Sequence, residues 1–296
     1  MYSSEVGRQH KVAIVVAIDQ SSSMAQKIEV ASRTMSKAKL VSEVVGELID
    51  EMLLRSRYDG LYRDYYDVAI LGYSGDGVYS LISDHPRFVT ISELSQRRVE
   101  REHITFRCTL LNGDVVVVPH GISKWVEPRS VGATPMCKMM ECVATMLEEW
   151  CAEPHNRHSF PPIVVNISDG MLSDATEERL MTAVERIRQT GTDDGKSLLM
   201  NIHISSSVGG ESMICPCIEE VDRDNRHAML LARISSNIPQ SMEHMARLKR
   251  ASLSRPPYLA MGYNTSPAEF VSLLNIGSRS DNVQHERNRQ LCLQNM

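Results

Sequence analysis

Seven consecutive apolar residues, Val12 to Ile18 (VAIVVAI), stop abruptly at Asp19 and the polar cluster Gln20-Ser21-Ser22-Ser23. No polar residue alternates within the run, so both of its faces must be covered, which is the condition of a central strand in a parallel sheet. The run is also far too short to cross a bilayer. Runs of the same kind recur at Asp67 to Tyr73 (DVAILGY), at Ile163 to Ile167 behind Pro161-Pro162, and at Leu198 to Ile204 (LLMNIHI), with a last short one at Tyr258 to Met261.

Between these runs the apolar period changes to that of a helix. Leu40, Val44, Val45, Leu48, Ile49, Met52 and Leu53 share one face, with Glu43, Glu47, Asp50 and Glu51 opposite. Pro135 is placed to open a second helix as its first residue, carrying Met136, Met139, Met140, Val143, Leu147 and Trp150 inward. Asp174 and Glu177 read as a capping box for a third, with Leu180, Met181, Val184 and Ile187 on its buried face. Further helical segments are expected at Asn225 to Ile234, Pro239 to Arg250 and Pro267 to Ile276. Strands alternating with helices predict an α/β fold with a doubly wound, mostly parallel central sheet.

Two stretches fall outside that alternation. Ser74-Gly75-Asp76-Gly77 predicts a turn into an antiparallel edge strand at Val78 to Ile82. Within residues 83–130, His103 to Leu110 and Asp114 to Val118 flank Asn112-Gly113, whose tolerance of positive φ predicts an inserted β-hairpin. Thr190 to Lys196 reads as a polar turn, and residues 205–224 are irregular. A length of 296 residues would allow two domains. The order of elements favours one domain over residues 11–276, with insertions near 83–130 and 205–235 and a polar tail at 277–296.

Lys and Arg total 32 against 37 Asp and Glu, a net charge of −5, which argues against a surface built to neutralise nucleic-acid phosphates. Seven cysteines are an odd number without framework spacing, so they read as thiols. No small-residue cleavage pattern follows the first apolar run, and the expected location is the cytoplasm. The 17 methionines fall largely on helical stripes and read as core.

In an open α/β sheet, ligands gather beyond the carboxyl ends of the strands. Three loops put oxygen-bearing side chains there: Asp19-Gln20-Ser21-Ser22-Ser23, Gly132-Ala133-Thr134-Pro135 and Ser168-Asp169-Gly170. Hydroxyl and carboxylate oxygens are hard ligands suited to Mg²⁺ or Mn²⁺, and the lack of His or Cys argues against zinc. Ser21 and Ser23, two residues apart, can aim both hydroxyls the same way. Each residue also has a plainer role: Asp19 and Asp169 as turn residues, Ser21 or Ser23 as the cap of a following helix, Thr134 as the N-cap before Pro135.

The set Asp19, Ser21, Ser23, Thr134 and Asp169, in a D-x-S-x-S pattern with a distant Thr and a later Asp, resembles the metal-ion-dependent adhesion site of the von Willebrand factor A domain family. The likeness spans Lys11 to Ile276, and short cytosolic bacterial members, including those associated with tellurium resistance, look more similar than integrin I domains. The inserted hairpin and the irregular stretch after Ile204 depart from the pattern. The resemblance implies a Rossmann-like fold in which Ser21 and Ser23 bind the metal directly, Thr134 binds it directly or through water, and Asp19 and Asp169 hold hydroxyls and waters. A cation with few anionic ligands stays electrophilic. The implied function is therefore not enzymatic: a protein-interaction module whose Mg²⁺ or Mn²⁺ receives a Glu or Asp carboxylate from a partner, with the hairpin at Arg107 to Val118 available to shape specificity. Competing readings are a metal-dependent phosphohydrolase using Asp19 as nucleophile, and a scaffold whose metal is only structural. The phosphohydrolase pattern wants a second Asp where this chain has Ser21, and Ser21 lacks the Gly-x-Ser-x-Gly elbow of a hydrolase.

Other signals are weaker. Cys215-Pro216-Cys217 near His203 or His227 lacks the second pair a zinc site needs. Cys137, Cys142 and Cys151 read as small packed thiols, and His155 and His158 as surface residues. Arg97, Arg98 and Arg101 alternate with Glu100 and Glu102 as a solvated face does. Gly75-Asp76-Gly77 has no phosphate-loop context.

Overall fold

The structure is a computed structural model that describes residues 2, 6–7, 10–30, 33–75, 77–109, 115–204, 212–248 and 254–263. The first apolar run forms β1 (Val12–Asp19), buried along its whole length. On one side it pairs in parallel with β2 (Tyr66–Ser74). β2 in turn carries two antiparallel neighbours, β3 (Gly77–Ser80) and β4 (Val89–Thr90). On the other side β1 pairs in parallel with β5 (Ile163–Ser168), then come β6 (Leu198–His203) and the short strand β8 (Met261–Tyr263), also parallel. Strand β7 (Met213–Ile214) closes that edge antiparallel to β8. The eight-stranded sheet is therefore mostly parallel with antiparallel margins, in the order β7-β8-β6-β5-β1-β2-β3.

Alternate side chains of β1 feed two cores, which is why the run carries no polar residue. Val12, Ile14, Val16 and Ile18 pack with α1 (Lys37–Ser56) and α2 (Ile91–Ser95). Val15 and Ala17 pack on the opposite face with α3 (Met136–Ala152), α4 (Glu177–Gln189) and α5 (Arg226–Ile234). The expected doubly wound α/β arrangement is the one observed, and Met136, Met139, Met140, Met200 and Met261 are core residues. A chain of buried polar groups also crosses the sheet on this second side. Tyr73 donates to Asn166 (2.7 Å), Asn166 to Asn201 (2.9 Å), and Asn201 to Ser235 (3.0 Å), whose hydroxyl donates to the Leu231 carbonyl at the end of α5.

The inserted hairpin exists and is longer than expected, Arg101–Thr109 against Val115–Ser123. Its Asn112-Gly113 turn lies outside the described residues. The base docks on α1: Ser123 and Trp125 both donate to Asp50, at 2.6 and 2.9 Å. Gly46 of α1 lies so close that a Cβ there would stand 2.5 Å from the Ser123 carbonyl oxygen.

Several local expectations shift. Pro135 is the N-cap of α3, one residue before the first helical turn. Thr176, not Asp174, caps α4 through its hydroxyl. Asp174 reaches across instead to accept from the Cys137 and Lys138 amides at the start of α3 (3.1 and 2.9 Å), where a carboxylate also suits the helix dipole. Within the helix expected at Pro239 to Arg250, the described residues form a 3₁₀ turn, Gln240–Met242, and a short helix, α6 (Glu243–Leu248). The last strand starts at Met261 because Leu259 bridges Asn237 instead. A β-ribbon that the sequence pattern did not announce, Lys27–Val30 with Arg33–Ser36, separates the first site loop from α1. The helix expected at Pro267 to Ile276 and the tail at 277–296 lie outside the described residues.

Candidate metal centre

The ends of β1 and β5 deliver two of the loops to one place. The Asp19 carboxylate is completely buried at the tip of β1. One oxygen accepts from the Ser21 amide (2.9 Å) and the other from the Ser168 hydroxyl at the end of β5 (2.8 Å). Asp19 is thus a turn residue, as its plainer reading held, and also a cross-link between loops 149 positions apart. Burial pushes its carboxyl up to about 6; hydrogen bonds from Ser21 and Ser168 oppose this, and the nearby Asp169 adds to it.

Ser21 precedes a 3₁₀ turn, Ser22–Ala25, yet its hydroxyl makes no capping bond to that turn. It lies 3.0 Å from the Ser23 hydroxyl. The second loop is held against the first by two backbone bonds, Val131 N–H to the Gln20 carbonyl (2.8 Å) and Ser22 N–H to the Gly132 carbonyl (2.9 Å). Gly132 has φ +78, and Gly75 packs against it so tightly that an added Cβ would meet Gly132 Cα at 3.2 Å. Thr134 is buried and is not the N-cap of α3. Its amide donates to the Ser173 hydroxyl (2.8 Å), which donates back to the Thr134 carbonyl (2.9 Å), so the third loop clamps the second.

Asp169 follows β5. One of its oxygens accepts weakly from the Met171 amide (3.4 Å), and the other faces the Lys37 ammonium at 3.5 Å. Gly170 has φ +84 and approaches the His227 carbonyl too closely for a side chain. His203, at the end of β6, stacks on Tyr263 with centroids 4.9 Å apart. Burial pushes its imidazole down to about 4, with the Lys37 charge acting in the same direction.

All five residues marked in the sequence therefore lie in loops tied to one another at the carboxyl edge of the sheet. Sequence reading named Ser168 only as part of its loop and missed Ser173 and Lys37. The two serines serve as ties, to Asp19 and to Thr134, a role that shows only once the loops are folded together.

The donor set can be tested against Mg²⁺. Octahedral coordination at about 2.0–2.1 Å places adjacent ligand oxygens roughly 3.0 Å apart. The Ser21 and Ser23 hydroxyls, hydrogen-bonded to one another, have that separation and would exchange their mutual bond for the ion. Asp19, with both oxygens engaged, is placed to orient ligands and not to bind end-on, as a supporting carboxylate does. The residues present fit such an ion. Among the described residues no group of three or more His, Cys, Asp and Glu side chains converges, so Cys215 and Cys217 are not joined by further ligands of that kind. Cys137, Cys142, Cys151, Cys215 and Cys217 are all thiols.

No family model and no curated protein matches the chain in sequence. Similar solved structures include a von Willebrand factor type A protein from Catenulispora acidiphila, with 12% identity and a TM-score of 0.47 over 91% of this chain. Others are an aerotolerance-related membrane protein from Bacteroides fragilis (13% identity, TM-score 0.37, 75% of this chain and 86% of that one) and the PilB minor pilin from Streptococcus sanguinis (9%, 0.37, 67% and 51%). The chain spans 43% of the Catenulispora protein's length. Among the described residues no helix is long and apolar enough to cross a membrane.

Proposed function

We propose that the protein is a non-enzymatic interaction module of the von Willebrand factor A type, in which Mg²⁺ or Mn²⁺ accepts an Asp or Glu carboxylate from a partner protein. Ser21, Ser23 and Thr134 would hold the ion, with Asp19 and Asp169 orienting hydroxyls and waters behind them. When bound, the ion supplies an electrophilic position for an anionic oxygen. The observation that carries the reading is the pair of Ser21 and Ser23 hydroxyls at octahedral spacing above a carboxylate fixed by Ser21 and Ser168.

The surroundings suit capture of a protein. Val131 and Met171, apolar and 53% and 40% exposed, flank the second and third loops. They would give an acidic residue of the partner apolar flanks to rest on. The phosphohydrolase alternative finds less support, because Asp19 is completely buried, its oxygens each hold a loop in place, and Ser21 stands where that chemistry wants a second Asp. A cytoplasmic, bacterial setting belongs to the same proposal.

Calorimetric titration with Mg²⁺ and a pull-down with and without EDTA test it. Binding of Mg²⁺ and metal-dependent capture are expected, both lost in Asp19→Ala. Capture that is unchanged in EDTA and in Asp19→Ala would overturn the proposal. Metal-dependent phosphatase turnover lost with Asp19 would establish the enzyme instead.

A further inference from the structure

Lys37 breaks two local rules at once. It is the first residue of α1, where the helix dipole and unpaired N–H groups favour a negative side chain, and no acidic residue in that turn offsets it. It is also 1% exposed, although lysine is almost never fully buried without a partner. Positions that violate local preference are commonly retained for what surrounds them. Here that is Asp169, with Lys37 Nζ 3.5 Å from its Oδ2.

The β-ribbon at 27–36 explains how the ammonium arrives there. Its strands pair from Lys27 with Ser36 outward, and the Lys37 amide extends the ladder by donating to the Gln26 carbonyl at 2.9 Å. The chain therefore leaves the Ser21–Ser23 loop, makes an excursion, and returns to start α1 beside the place it left. The first helical side chain then drops into the site and not into solvent.

We infer that Lys37 sets the charge of the centre, so that a bound divalent cation grips a carboxylate more tightly while itself being held less tightly; this rests on the metal-dependent reading above. Asp19 and Asp169 bring two negative charges, and Lys37 cancels one of them. A divalent ion then leaves the loaded centre with a single net positive charge, which a partner carboxylate neutralises. With a neutral side chain at position 37 the loaded centre would already be neutral, and an incoming carboxylate would bury an excess negative charge. The N-terminus of α1 adds to the positive field in the same sense. A lysine that merely braced Asp169 would behave differently, because its loss would loosen Asp169 and weaken cation and carboxylate together.

The test is a pair of titrations on the full chain and on Lys37→Met. Mg²⁺ affinity is measured by calorimetry. Acetate is then titrated into Mn²⁺-saturated protein and followed by water-proton relaxation. Lys37→Met is expected to bind Mg²⁺ about tenfold tighter or more, from the lost repulsion between cations in a poorly screened site, and acetate at least about threefold more weakly. Unchanged or weaker Mg²⁺ binding, or acetate binding that is unchanged or tighter, overturns the inference. If circular dichroism shows Lys37→Met unfolded, Lys37→Gln carries the same expectations with a polar side chain. Wild-type protein that binds neither Mg²⁺ nor Mn²⁺ removes the metal reading itself, whereas wild-type binding with an unaltered Lys37→Met removes only the role of Lys37.

Discussion

Replacing Asp19 by asparagine should make the metal-free protein more stable while abolishing its response to Mg²⁺. Burial raises the Asp19 carboxyl from 3.8 to about 6. A carboxyl raised on folding retains its proton in the native state between those two values, so its cost to stability grows as pH rises and is complete above about 6. At roughly 1.4 kcal/mol for each pH unit, ionised Asp19 costs the metal-free fold about 3 kcal/mol at pH 8. Asparagine removes that charge and keeps an acceptor for the Ser21 amide. Its NH₂ group replaces the oxygen that accepted from Ser168, whose hydroxyl also accepts from Gly170 N–H at 2.9 Å. Rearranging that contact should return roughly 1–2 kcal/mol. The net gain, about 1–2 kcal/mol, corresponds to roughly 2–3 °C in Tm for a chain of this size. Wild-type protein should in turn gain about 2.7 kcal/mol when Mg²⁺ is present at about 100 times its Kd. Thermal melts at pH 8 should therefore cross over: in EDTA the variant melts higher, and in saturating Mg²⁺ the wild type does. A variant that melts lower in EDTA would show Asp19 to be a hydrogen-bonding hub whose charge costs nothing. A variant that keeps the Mg²⁺ shift would refute the site.

The same substitution should expose a second titration, because the His203 imidazole, lowered from 6.5 to about 4, leaves the native state short of a proton between those values. Stability from His203 therefore falls on acidification across about pH 6.5 to 4, opposite to Asp19, so metal-free wild type should change little between pH 4 and 6 in urea melts while Asp19→Asn loses stability steadily. Asn201→Ala should cost about 2–4 kcal/mol by urea denaturation, since it strands the buried Asn166 amide and removes a donor from Ser235; a double-mutant cycle with Asn166→Ala should be non-additive by about 1 kcal/mol or more. Gly46→Ala would gain about 1 kcal/mol of helix propensity in isolation, but here it should destabilise by about 1–3 kcal/mol, because its Cβ meets the Ser123 carbonyl; a rise in Tm would mean that the hairpin base yields freely. Asp174→Ala should lower stability by about 1 kcal/mol through α3, with α4 still capped by Thr176, as hydrogen exchange at the Cys137 and Lys138 amides would register.

What the sequence made legible follows the range of the forces involved. The parallel strands and α1, α3, α4 and α5 announce themselves because burial on one or two faces imposes a period that a short window contains. Asp174 shows where such reading stops. Its spacing to Glu177 is that of a capping box, yet the amides it caps belong to α3, and only the packing of the loop after β5 against α3 decides between the two helices. Thr134 and Asp169 could be marked because each sits at a loop signal of its own. Ser168 shares the loop signal of Asp169 but nothing local announces its tie to Asp19, and Ser173 has no signal at all, since both partners are distant in the chain.

Lys37 is the extreme case. Taken locally, it is a lysine beside a helix start, three positions before the apolar stripe opens at Leu40, and its expected place is solvent. Its actual place depends on the ribbon at 27–36 closing so that residue 37 returns to residue 26, and on β5 bringing Asp169 to the same edge. The ribbon itself gives a weak pattern because it is short: four residues a side put Ile28, Val30 and Met35 on one face beside Arg33, too few positions for the alternation to stand out. The carboxylates and hydroxyls of the centre could thus be read from a linear pattern, but the charge that balances them could not, because ligand type is written in the loops while net charge is settled by what the fold buries beside them.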